Sequence, residues 1–138
     1  MKPALSLLFI LALAFSVRTF ASLGNSENEI AALYGKSIDP GSPDSDGTIT
    51  NTYQKGDYLI LVQFAKGSCV AESYTRKDRR KFSDKEITAI LSSNAGGKEW
   101  KRQLGAGQNW ERTDHAAHAW TETLAGRPTL LIQAKSGS

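Results

Sequence analysis

Tyr58-Leu-Ile-Leu-Val-Gln-Phe64 is the stretch on which the fold of this 138-residue chain turns. Only Gln63 interrupts its apolar character. Lys55-Gly56-Asp57 precedes it and Ala65-Lys66-Gly67 follows it. A short run of branched and aromatic residues between glycine-bearing links predicts a strand. Apolar residues at odd and even positions alike predict a central strand, buried on both faces. Upstream, residues 48–54 alternate Ile49, Asn51 and Tyr53 with threonines, as a half-exposed strand does; downstream, residues 68–75 continue in the same period. Links this short leave only an antiparallel meander for the three runs.

Two helices flank that meander, each announced by its cap. In Ser26-Glu27-Asn28-Glu29 the Ser26 hydroxyl is placed to accept from the Glu29 amide, while the Glu29 carboxylate reaches back to Ser26. Ile30, Leu33 and Tyr34 follow at helical spacing, and Gly35 predicts a left-handed stop. Ser83-Asp84-Lys85-Glu86 repeats the box, with Phe82 and Ile87 as a hydrophobic staple. Ile87, Ile90 and Leu91 form one apolar stripe, ended by Asn94 and Gly96-Gly97. Three more strands are predicted at 109–113, 116–122 and 128–134, joined by Asp114-His115 and by residues 123–127. The class is therefore α+β, in the order α-βββ-α-βββ, an antiparallel sheet with helices packed on one face.

The start of the chain has a different character. Lys2 precedes the run Leu7-Leu-Phe-Ile-Leu-Ala-Leu-Ala-Phe15, and Thr19-Phe20-Ala21 supplies a small residue for cleavage. This is the layout of an export signal, and the run is too short for the ~20 apolar residues that span a bilayer. Residues 1–21 are read as a signal peptide and residues 22–138 as one small domain, secreted or periplasmic, with no membrane span after cleavage. Lys2 and Arg18 leave with the signal and no acid does, so 17 basic against 14 acidic residues become 15 against 14. A net charge of +1 gives no global reason to expect nucleic acid as a partner. Cys69 is the single cysteine, so no disulfide closes within the chain, and it reads as a small apolar strand residue.

Several constellations that mimic chemistry fail on spacing. With Gly47 as the sixth residue of a calcium loop, Asp44 and Asp46 fall at liganding positions. The first and twelfth would then be Ser42 and Tyr53, which lack the required carboxylates. His115 and His118 are three apart, which on a strand sends the two imidazoles to opposite faces. Gly35-Lys36-Ser37 lacks the glycine five residues earlier, where Ile30 stands, and its helix comes first instead of after. No cofactor and no metal is expected.

What remains is surface. Arg76-Lys77-Asp78-Arg79-Arg80-Lys81 is the densest charge in the chain and lies between a strand and the capped helix. Arg76, Lys77, Arg79, Arg80 and Lys81 are the candidate contacts for an anionic envelope component or a protein partner. The other reading of the run is a solvated face. Trp110 and Trp120 are candidates for an aromatic binding surface on the open face of the sheet, or else core residues.

The residues Glu29-Ile30, Tyr34-Gly35-Lys36, 58–64, Lys66-Gly67 and Glu72-Ser73-Tyr74 together resemble a group of small exported bacterial proteins. Phe82-Ser-Asp-Lys-Glu-Ile87, Leu91, Asn94, Trp100, Trp110 to Asp114 and Leu130-Leu-Ile132 fit the same pattern, across most of residues 22–138. These are caps, turns and core positions, so the resemblance brings no catalytic residues with it. In element order alone the chain is also similar to the helix-plus-sheet domains of outer-membrane assembly lipoproteins and of secreted β-lactamase inhibitor proteins. Two functions follow as expectations. One is a non-catalytic binding or interaction module; the alternative is a small extracytoplasmic hydrolase with His115 or His118 as general base.

Overall fold

Glycine-bearing turns set the registers from which the sheet is built. In the computed structural model, residues 22–105 and 107–135 are described; residues 1–21, the expected signal peptide, lie outside them. The elements are α1 (Glu27–Tyr34), β1 (Ile49–Lys55), β2 (Tyr58–Ala65), β3 (Ser68–Arg76), α2 (Asp84–Ser93), β4 (Trp100–Arg102), β5 (Asn109–Arg112), β6 (Ala117–Leu124) and β7 (Arg127–Ala134). The strands form one seven-stranded antiparallel sheet in the order β1-β2-β3-β7-β6-β5-β4. Two meanders thus meet where β3 pairs with β7. Lys66 and Gly67 both have positive φ, as do Ala125 and Gly126, which is the requirement of a two-residue turn whose twist matches its strands.

Both capping boxes close reciprocally. The Ser26 Oγ accepts from the Glu29 amide at 3.2 Å, and the Ser83 Oγ from the Glu86 amide at 3.1 Å. Each glutamate accepts in return from the amide of its serine. At the far end of α1, Gly35 has φ +88 but ψ −175, which is not the left-handed helical stop expected but a more extended conformation that only glycine tolerates. The Lys55 ammonium donates to the Leu33 carbonyl, satisfying one of the acceptors the helix leaves open.

The order differs from the expectation in the second half, which holds four strands. Three residues of β4 are too few to display a period, so it leaves no periodic signal in the sequence. Residues 123–127 were expected as a connection, but β6 and β7 run on until only Ala125-Gly126 separates them. The central-strand reading of β2 is half right. It is flanked by β1 and β3, yet only Ile60, Val62 and Phe64 are buried, and Leu61 is 41% exposed. Its other face is therefore not a second core.

The core combines Ile30 of α1 and Ile87, Ile90 and Leu91 of α2 with Tyr53, Ile60, Val62, Phe64, Tyr74, Leu130 and Ile132 of the sheet. A bulge at Val70 arranges one part of it. Gln63 pairs with Ala71 and Phe64 with Cys69, so one residue of β3 is skipped. The skip brings Cys69 to the same side as Glu72 and Tyr74, although 69 and 72 differ in parity. Beside β1, the segment after α1 folds back: Thr52 accepts from the Ile38 amide and donates to the Asp39 carbonyl. The edge of the sheet is partly paired in this way.

Candidate functional site

The basic run divides into a structural residue and a surface. Arg76, the last residue of β3, donates from Nε and Nη2 to the two oxygens of Asp78 at 2.9 and 2.8 Å, and from Nη1 to Glu86. Glu86 also accepts from the Tyr58 hydroxyl at 2.6 Å while its other oxygen caps Ser83. This one carboxylate joins β2, β3 and the start of α2. The hydrogen bond from Tyr58, and then those from Ser83 and Arg76, hold its pKa below the ordinary value, against the opposing effect of burial. Asp78 further accepts from the Arg80 amide, and Arg79 sits at φ +63. Arg76 is thus neutralised within the fold. Lys77, Arg79, Arg80 and Lys81 are exposed and form no ion pair among the described residues.

Trp110 and Trp120 do not share a surface. Trp110 lies opposite Ala119 and Trp120 opposite Asn109, so adjacent residues of β6 place the two indoles on opposite faces. Trp110 packs against the core beneath the Arg102 guanidinium, 5.9 Å from its ring centre. Trp120 lies on the other face with His118 stacked on it at 4.9 Å. Leu61, Ser73, Leu131 and Trp120 follow one another across β2, β3, β7 and β6 in register, giving this face a row with three large apolar members.

The histidines are separated as strand geometry requires. His115 is on the β5–β6 turn with φ +59, its side chain 80% exposed and its Nδ1 against Glu111. His118 is on β6, where its Nδ1 is buried with no hydrogen-bond partner among the described residues. Burial first, then the Lys135 charge, depresses its pKa. Asp44, central to the calcium reading, accepts from the Asp46 and Thr48 amides at 2.8 and 3.0 Å and so organises its own turn.

The most unusual chemistry lies in the core. Glu72 is 1% exposed, between Val62 and Ile132 in register. Tyr34 donates to its Oε1 at 3.0 Å and Tyr74 to its Oε2 at 2.6 Å, and the two hydroxyls are 2.7 Å apart. Ser22 and Asn94 complete the surroundings: the Ser22 Oγ donates to the Asn94 Oδ1, and both act on the Glu72 carboxyl. Desolvation raises the Glu72 pKa and outweighs the hydrogen bonds that favour its charged form. Burial, then the Glu72 charge, also raises the tyrosine pKa values and that of the Cys69 thiol. Tyr34 and Tyr74 also line a cleft of about 390 Å³, together with Leu33, Tyr58 and Ile60. Sequence reading did not select Glu72, although a signal was present: a glutamate in phase with Tyr74 on a strand of a half-buried sheet.

No family model and no curated protein matches the chain. Among solved structures, a cysteine-rich secretory protein from Staphylococcus aureus matches at 9% identity and a TM-score of 0.44, over 82% of this chain and 44% of that one. The chain spans less than half the length of that protein.

Proposed function

We propose that the chain is exported to the periplasm or the cell exterior by cleavage near Ala21, and acts there as a non-catalytic binding module. On this reading it belongs with the small exported bacterial proteins that it resembles, and both helices cover the Ile60/Tyr74/Leu130 side of the sheet. The observation that carries the reading is the row Leu61–Leu131–Trp120 on the opposite side, with Leu61 41% exposed. A row of apolar side chains on a sheet face, here interrupted by Ser73, is surface that a partner can bury. Lys77, Arg79, Arg80 and Lys81 add a cationic element, so the partner is a protein or an anionic envelope component. The hydrolase alternative draws no support from a turn histidine held by Glu111 or a strand histidine stacked on an indole.

The test replaces Leu61 and Trp120 separately by glutamate and compares capture of envelope components by the immobilised protein. Both variants should keep the wild-type melting temperature within a few degrees and lose what the wild type retains. Capture that survives both changes would overturn the role of this face. Hydrolysis of an ester or glycoside by the purified chain, abolished by His118→Ala, would replace the reading with the enzyme.

A further inference from the structure

Glu72 poses a question of charge balance. A carboxylate 1% exposed is expensive to ionise without a cation, and no ion pair reaches Glu72 among the described residues. Its neighbours are neutral groups from several elements: Tyr34 of α1, Tyr74 and Cys69 of β3, Asn94 after α2, and Ser22. Ser22 is the exception in kind. It is 1% exposed, its hydroxyl is held by Asn94, and it lies 50 positions from Glu72. In a fold whose ends are normally at the surface, a buried serine directly after the predicted cleavage site is unexpected.

We propose that the α-ammonium group created at Ser22 by removal of residues 1–21 is the counter-ion of the buried Glu72 carboxylate, so that export processing completes the core. Hydrolysis of the Ala21–Ser22 peptide bond by an export peptidase adds water across it. Ala21 leaves with a carboxylate, and the Ser22 amine takes a proton from solvent at neutral pH. The amine and Oγ of one serine are separated by only ~3–4 Å of covalent geometry. Ser22 and Glu72 are each 1% exposed, and the Ser22 hydroxyl, bonded to the buried Asn94, is among the groups that act on the Glu72 carboxyl, so the new charge forms beside that group. Before cleavage the same nitrogen is a neutral amide and Glu72 remains uncompensated. The inference relies on the export reading for the cleavage alone, and not on any binding partner.

Pairing changes the pH dependence in a defined direction. An α-amine whose folded pKa is raised above its ordinary ~7.7–8.0 contributes stability below that value and loses it as pH rises through the raised pKa. The cysteine and tyrosines facing Glu72 are pushed upward by burial and by the Glu72 charge, so they do not titrate in the same window.

The experiment compares the secreted product with the same chain carrying Ala21 at its start, both with and without Glu72→Gln. Amino-terminal sequencing of the secreted product should begin at Ser22. Its melting temperature at pH 7 should exceed that of the Ala21-bearing form by about 4 °C or more. Glu72→Gln should abolish the difference, lowering the Ser22 form while leaving the other unchanged or raised. If Glu72→Gln does not accumulate, the two pH profiles decide: only the Ser22 form should lose stability above about pH 8. Equal melting temperatures with parallel pH profiles overturn the counter-ion. A secreted product that starts elsewhere overturns the processing step, and an uncleaved chain overturns the export reading itself.

Discussion

The two faces of this sheet are made from alternate residues of the same strands, yet they are different materials. Along β7, Leu130 and Ile132 are fully buried while Leu131 between them is half-buried. Along β2, Ile60, Val62 and Phe64 are buried, and Leu61 is exposed. The inner face meets Ile30, Ile87, Ile90 and Leu91 from the helices in one cluster, whereas the outer face carries Leu61, Leu131 and Trp120. Apolar composition therefore does not define the core here; a covering partner does. The inner face even holds a carboxyl group, Glu72, to which Tyr34 and Tyr74 donate hydrogen bonds. Polarity is tolerated inside where it is hydrogen-bonded, and apolar side chains stand on the outer face where nothing within the described residues covers them.

The adjacent residues Ile132 and Leu131 give that contrast its hardest test. Ile132→Ala should destabilise the fold by about 2–5 kcal/mol, since it removes fully buried aliphatic groups from the core cluster. Leu131→Ala should cost under about 1 kcal/mol, because its side chain gives up much less buried contact. Equal shifts of the denaturant midpoints would mean that the outer face is a second core. The next effect is local to the helix. Ser83→Ala should cost about 1 kcal/mol, since the Glu86 amide loses its acceptor at the start of α2. An unchanged midpoint would show that Tyr58 and Arg76, which also bind Glu86, hold that turn without the cap.

What the sequence disclosed follows the range of the interactions involved. Both capping boxes were legible because donor and acceptor are three residues apart, and the β1–β2–β3 meander because its two turns are two residues long. The outer face was misread at residues 58–64: a run apolar at every position predicts two covered faces, and nothing within the run tells whether a second layer exists. β4 was invisible because three residues hold no period. Trp110 and Trp120 are candidates in the sequence for one aromatic binding surface or else for the core, and their separation onto opposite faces was not legible because it depends on the register of β5 against β6. Of the basic run, Arg76 differs from the rest only through Asp78 and Glu86, and the ten-residue span to Glu86 is closed by folding, not by local geometry.

The smallest structural effect, and the sharpest functional one, belongs to Arg79, Arg80 and Lys81. Their side chains are exposed, precede the capped helix and contribute nothing to the apolar cluster. Replacing all three by serine should therefore change stability by no more than about 0.5 kcal/mol. Arg76 is kept in this variant, because its guanidinium ties β3 to Asp78 and Glu86, and removing it would confuse a fold effect with a surface effect. If the loop draws the protein to an anionic partner, wild-type retention on anionic vesicles or acidic polysaccharide should weaken steeply with salt. Exposed charges more than ~8 Å apart are screened at physiological ionic strength. The triple variant should then show no retention even at low salt. Retention equal to that of the wild type would make the loop a solvated surface, and would leave binding to the Leu61–Leu131–Trp120 face alone.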